Sequence, residues 1–227
     1  MNAVGKKLVG VTLGIAVIAT LIVLFITIWA TNFPKTINAA PASATIAQGG
    51  GTHLTLETVA AAGKLAPRNP SWVTYAIRSG GQWVHSTIYK VPAYSLVHVT
   101  IYQFDSPTGL RNAFLSQAQG TIGGTFMLDG KTVNSIPAEE ASHTFAIPQL
   151  GVFVPLSGVS EEAKNPCEEG PCEPSKFAHR TVTFTFRTGA PGRYRWQCFV
   201  PCAAGYYFGN GGPMQTLGYM GGFLDVV

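Results

Sequence analysis

Residues 181–187 read TVTFTFR, and their alternation is strict: Val182, Phe184 and Phe186 fall on one face and Thr181, Thr183 and Thr185 on the other. Side chains of an extended segment point alternately to opposite faces, so this stretch reads as a half-buried β-strand. Working outward, short apolar or alternating runs recur at 72–78, 83–91, 95–103, 132–136, 143–147, 151–154, 193–197 and 223–227, separated by Gly, Pro, Asn and Asp. About nine short strands with frequent turns predict an all-β chain, a sandwich or a small barrel. The stretch 110–118 reads as a short helix in an insertion, 53–66 carries no decisive period, and no internal repeat is present.

Composition agrees with that reading. Charged residues make up 11% of the 227, against about 25% in ordinary globular domains, while 46% are hydrophobic. Disorder through lack of apolar residues is therefore excluded. Twenty-six Gly and 15 Pro favour many turns over long helices. A net charge of +4, scattered along the chain, gives no basis for nucleic-acid binding.

Part of the low charge has a local origin. Residues 8–30 (LVGVTLGIAVIATLIVLFITIWA) run for 23 positions without a charge, enough to cross about 30 Å of hydrocarbon as a helix. A cleaved signal peptide is the competing reading, because Lys6 and Lys7 form a basic start and 42–44 (ASA) resembles a small-residue cleavage site. The apolar run exceeds the roughly 7–15 residues of a secretory core, which favours an uncleaved anchor. Two lysines before the span and Lys35 after it place residues 1–7 in the cytoplasm. The chain is thus expected to be a single-pass cell-membrane protein. Residues 31–52, small and with one charge, are expected to form a flexible tether spanning roughly 25 Å. Residues 53–227 are then an extracytoplasmic domain.

That compartment is oxidising, so disulfides are the first expectation for the four cysteines. Cys167 and Cys172, in the turn-rich NPCEEGPCEP of 165–174, are the easiest local bridge. Cys198 and Cys202 lie four residues apart in PGRYRWQCFVPC (191–202). Spacing of this kind suits a disulfide, and equally a pair of thiolates gripping a soft metal such as copper. A four-cysteine zinc knuckle does not match the spacings. The sequence has no nucleophile elbow, His-Glu-x-x-His or P-loop of a hydrolase or nucleotidase. Five histidines are too few for a multicopper oxidase.

Taken together, SHTFAIPQLGVFVP (142–155), PGRYRWQCFVPC (191–202) and the final GYMGGFLDVV (218–227) resemble the cupredoxin domain of cytochrome c oxidase subunit II. The resemblance covers mainly 91–227 and implies a cupredoxin-like Greek-key β-sandwich on a single N-terminal transmembrane helix. By the same resemblance His143 matches a histidine ligand, Cys198 and Cys202 the bridging thiolates and Met220 the methionine of a copper A centre, with Met214 a second candidate. The family's second histidine has no counterpart: forward counting from Cys202 reaches Tyr206 and backward counting from Met220 reaches Leu217. The acid usually found between the cysteines is Val200, and the loop from Cys202 to Met220 is longer than the pattern. A mononuclear site of His143, one or both thiolates and a methionine is the form of copper chemistry compatible with those departures.

The resemblance further implies electron transfer in a respiratory chain, with a haem-copper oxidase catalytic subunit and a cytochrome electron donor as partners. The chain itself is not expected to reduce oxygen. Alternatives are a copper-free structural or assembly subunit and a copper-delivery protein. Five of the eleven acids fall in 161–173, either a solvated loop or a docking face for a basic donor. His85, His98 and His179 are expected to be scaffold histidines, His179 reaching the site only if its loop folds over it. Trp196, Phe199, Tyr206, Tyr207, Phe208 and Tyr219 are expected to pack around the site.

Overall fold

The computed structural model describes residues 3–42, 50–109, 112–202 and 211–227, in two compact units, Met1–Phe33 and Pro34–Val227. The first is helix α1, Ala3–Asn32. Its segment Val9–Ile28 is 20 residues of apolar helix, long enough to cross a membrane, and is the one such helix among the described residues. The hydroxyls of Thr20 and Thr31 donate back to the carbonyls of Ala16 and Thr27 (both 2.9 Å), which conceals their polarity inside the helix.

The second unit is built from fourteen strands among the described residues. In chain order they are β1 Thr36–Asn38, β2 Ala40–Pro41, β3 Thr52–Val59, β4 Thr74–Ser79, β5 Gln82–Val84, β6 Ile88–Val91 and β7 Leu96–Gln103. The series continues with β8 Phe126–Leu128, β9 Lys131–Val133, β10 Ala141–Ile147, β11 Val152–Ser157, β12 Arg180–Arg187, β13 Gly192–Gln197 and β14 Gly221–Val226. One sheet has the order β1-β6-β14-β13-β10-β11, the other β5-β4-β3-β7-β12-β8-β9, with β2 on β3. Both are mixed: β3 runs parallel to β7, and β6 parallel to β1 and β14, amid antiparallel neighbours. The architecture is the expected all-β sandwich of two sheets.

The opening motif behaves as its period requires. Val182, Phe184 and Phe186 of β12 are buried and pack with Leu54 and Leu56 of β3 and Val97, Val99 and Ile101 of β7 against the other sheet. At the centre lies Trp196 of β13, stacked on Phe145 and Tyr89 (ring centroids 5.1 and 5.5 Å) and met edge-on by Tyr75 (4.9 Å). Its indole N–H donates to the Thr87 carbonyl at 3.0 Å, so the largest core side chain is buried with its polar edge satisfied. β14 approaches β6 closely at Gly222, where a Cβ would sit 1.8 Å from the same Thr87 carbonyl oxygen.

Several expectations change in detail. The run 83–91 is two strands, β5 and β6, parted near Ser86. β3 lies inside the stretch without a decisive period, and β8 forms a hairpin with β9 through Asp129 and Gly130, both at positive φ (48° and 80°), a turn that admits few other residues. Instead of a helix over 110–118 there is a 3₁₀ turn, Ala113–Ser116, capped by the Asn112 side chain accepting from Phe114 N–H at 3.1 Å. Residues 36–41, expected in the tether, form β1 and β2 and pair with β6 and β3, so the sandwich begins earlier than residue 53. The cleavage-like positions 43 and 44 lie outside the described residues.

One end of the outer face of the β3–β7 sheet, around Glu57 and Val59, is covered by the acidic loop. Cys167 and Cys172 form a disulfide there and pack with Val59, Phe104 and Phe177 in a small apolar cluster separate from the main core. Glu57 of β3 is completely buried beneath the loop, one carboxyl oxygen accepting from Cys172 N–H at 3.0 Å and the other without a partner among the described residues. Arg78 pairs with Glu173 at 3.2 Å above it.

Candidate metal centre

His143 is supplied by β10. The pairing of β10 with β11 shifts register between Ala141 and His143, and such a bulge re-aims the side chains that follow it. Cys198 directly follows β13, which joins β10 through Ala146 and Gln197. Two adjacent strands thus deliver the imidazole and the first thiol, and the turn after β13 returns Cys202 to the same place.

The three ligand atoms lie within 4.8 Å of one another. His143 Nδ1 is 3.0 Å from Cys202 Sγ and 3.9 Å from Cys198 Sγ, and the two sulfurs are 3.2 Å apart without a disulfide. All three side chains are buried, with 1%, 0% and 4% exposure for His143, Cys198 and Cys202. Thr144 clamps the turn: its N–H points at Cys198 Sγ (3.4 Å) and its hydroxyl accepts from Phe199 N–H (2.8 Å). The Cys198 N–H in turn donates to the Met220 carbonyl at 2.8 Å.

Electrostatics separates the two thiols. Burial opposes a charge on Cys198, but the hydrogen bonds with Cys202 and His143, the imidazole's positive charge and the Thr144 N–H outweigh it and hold Cys198 well below the ordinary thiol range. Cys202 moves the other way, raised by its hydrogen bond to Cys198, by burial and by the negative charges of Cys198 and Asp105. His143 is lowered by burial yet brought up to about 9 by the hydrogen bonds to Asp105 and Cys198. A negative charge in the pocket is therefore favoured on Cys198 over Cys202.

Asp105 had no signal in the sequence beyond being an acid just after a strand. It follows β7, and its Oδ2 lies 3.0 Å from His143 Nε2. Burial raises the Asp105 carboxyl, but the hydrogen bond and charge of His143 and the Ser106 N–H bring it below its usual value.

The other expected residues fall as follows. Met220 is fully buried in the core cluster that holds Cys198 and Cys202; Met214 is half-buried against that cluster. Tyr206, Tyr207 and Phe208 lie outside the described residues, and Leu217 occupies its position without an imidazole. Phe199 stands 42% exposed, 5.9 Å from Phe153. Tyr219 packs away from the thiols, on Trp72 and His85.

His98 bonds Thr185 Oγ1 and the Gly50 carbonyl, and His85 bonds Thr74 Oγ1, both as scaffold groups. His179 sits on Tyr102 and Phe104 under the acidic loop and is not part of the cluster around His143.

The donor set fits copper. Two sulfurs and an imidazole nitrogen are soft and borderline donors, and they converge in a buried, negatively biased pocket. No family model matches the chain. No curated protein matches it either. Among solved structures, one of the copper protein rusticyanin superposes with a TM-score of 0.31 at 13% identity, covering 85% of this chain and 82% of that one. Another, rusticyanin from Thiobacillus ferrooxidans, gives 0.32 at 14% identity over the same shares. Neither bears on the resemblance to the oxidase subunit.

Proposed function

We propose that this chain is a membrane-anchored, copper-binding electron-transfer domain of the oxidase subunit II kind, accepting electrons from a cytochrome donor and passing them to a haem-copper oxidase catalytic subunit. The observation that carries the reading is the buried convergence of His143 Nδ1, Cys198 Sγ and Cys202 Sγ within 4.8 Å. When bound, copper supplies a one-electron change of oxidation state, which none of these side chains provides reversibly on its own.

The chain's own residues do the rest. Cys198 would bind copper as the thiolate favoured by His143 and the Thr144 N–H, while Cys202 Sγ and His143 Nδ1 would each have to release a proton to bind it. His143 offers Nδ1, and Met220, whose carbonyl is bonded to Cys198 N–H, is assigned as the thioether donor. Packing around Trp196 and Phe145 keeps the ligands fixed between oxidation states and excludes water. Among the described residues the cluster has one imidazole, so the reading is one copper per chain. In this reading α1 anchors the chain in the cell membrane with the sandwich on the extracytoplasmic side. The exposed acids of 161–173 then face a basic donor.

The test is metal analysis and visible absorption of the full chain purified in detergent after copper loading under reducing conditions. One firmly held copper, with a thiolate-to-copper band on oxidation that is lost in Cys198→Ser, is expected. A chain that retains no copper and shows no such band overturns the reading.

A further inference from the structure

We propose that Asp105 is a positioning residue for His143: its carboxylate holds the ring through Nε2–H and thereby aims Nδ1 at the two cysteines. The inference rests on the copper reading above and adds to it a residue outside the ligand set.

Only one ring nitrogen of His143 can face the sulfurs. Nδ1 does so, at 3.0 Å from Cys202 and 3.9 Å from Cys198. Nε2 points the opposite way, to Asp105 Oδ2 at 3.0 Å. An ionised carboxylate only accepts hydrogen bonds, so the nitrogen facing it must be the one that carries hydrogen. The other nitrogen is then the one free to bind a metal, and the hydrogen bond behind it makes the ring a better donor.

Asp105 is itself held from several sides. Its Oδ1 accepts from Ser106 N–H at 2.8 Å. Its backbone N–H donates to Gln103 Oε1 at 3.3 Å, and its carbonyl accepts from Gln103 Nε2 (3.3 Å) and Val159 N–H (2.9 Å). Gln103 is completely buried at the end of β7, so the carboxylate is fixed by one sheet while the imidazole it orients belongs to the other. A side chain so anchored sets the rotation of the ring, as well as its proton, before any metal arrives. No other carboxylate or carbonyl is bonded to Nε2 among the described residues, so on that side the ring is held by Asp105.

The test has a metal-free and a metal-loaded arm, both on the full chain in detergent. Nitrogen-proton correlation NMR of the His143 ring in the metal-free wild type should find hydrogen on Nε2; a bare Nε2 overturns the inference whether or not copper binds. In the second arm copper(I) is titrated against a competing chelator. Asp105→Ala is expected to bind ten- to a hundred-fold more weakly and, once oxidised, to shift the visible thiolate band. A folded Asp105→Ala with wild-type affinity and an unmoved band overturns the inference. Should that variant not fold, Asp105→Asn takes its place at equal size. Its amide offers one acceptor where Ser106 N–H and the ring N–H need two, so weakening is again expected, and wild-type behaviour again overturns the assignment. A wild-type chain that takes up no copper would instead defeat the copper reading, and the NMR arm alone would then decide whether Asp105 holds the proton on Nε2.

Discussion

Cys198 and Cys202 differ by four positions in sequence and by the sign of their shift in acidity. Cys198 draws the imidazolium's field and the Thr144 N–H, while Cys202 bears the cost of a neighbouring anion. In reduced, metal-free protein a far-ultraviolet thiolate band is therefore expected to appear at lower pH than for an ordinary thiol. In His143→Ala the band should appear only at higher pH, because a hydrogen bond and a positive charge are lost. An unchanged titration would contradict the assignment.

Glu57 is a second buried acid, with a structural consequence. Burial raises it to about 8 from a reference of 4.5, the Cys172 N–H opposing and the Glu173 charge reinforcing the rise. The folded state thus binds the proton more tightly than the unfolded chain. Its stabilising contribution is complete below pH 4.5 and is lost as pH rises through about 8. Wild-type stability should fall across that window by on the order of a few kcal/mol more than that of Glu57→Gln, measured by denaturant unfolding at several pH values. Parallel curves would refute it.

Of the residues around the site, Cys198 and Cys202 were legible as a spaced pair, and His143 only through the family resemblance of the stretch that carries it. Asp105 was not. It is 38 residues from His143, and only the packing of two sheets brings the groups together.

Strands were legible in proportion to how one-sided their burial is. β12 has one apolar and one threonine face, so its period of two is plain. β3 begins the same way with Leu54 and Leu56, but from Glu57 to Val59 all three residues are buried, because the disulfide loop covers the outer face there. That blurs the alternation, and nothing local announces the cover.

The loop's disulfide should be separable from the metal site. Replacing Cys167 and Cys172 by serine removes a short closed loop, expected to cost about 2 kcal/mol in unfolding free energy while leaving copper content unchanged. Loss of copper would mean that loop and site are coupled. The strand pairing at Gly222 should behave differently. An alanine Cβ there would collide with the Thr87 carbonyl, which also accepts from Trp196 Nε1 and Phe223 N–H at 3.0 Å each. Gly222→Ala should cost about 1–3 kcal/mol or more and lower the melting temperature by several degrees, with copper affinity falling as β13 and β14 shift. A variant that melts like wild type would show that β14 can move without penalty.

At the scale of the molecule, the chain combines an apolar helix fit to span a membrane with a sandwich that has its own core. The apolar N-terminal helix and the β-class were legible from composition and run length. The mixed parallel pairings were not, since β6 with β14 and β3 with β7 join segments far apart in sequence. The site lies where β10 adjoins β13 and the chain after β7 reaches them, and its chemistry depends on that packing as much as on the ligand residues. Copper-edge X-ray absorption of the copper-loaded full chain reads that arrangement directly. Two sulfur scatterers and one imidazole nitrogen at bonding distance, with one sulfur lost in Cys202→Ser, are expected. A shell of nitrogen and oxygen alone, or a chain that retains no copper to measure, would contradict the copper site proposed for His143, Cys198 and Cys202.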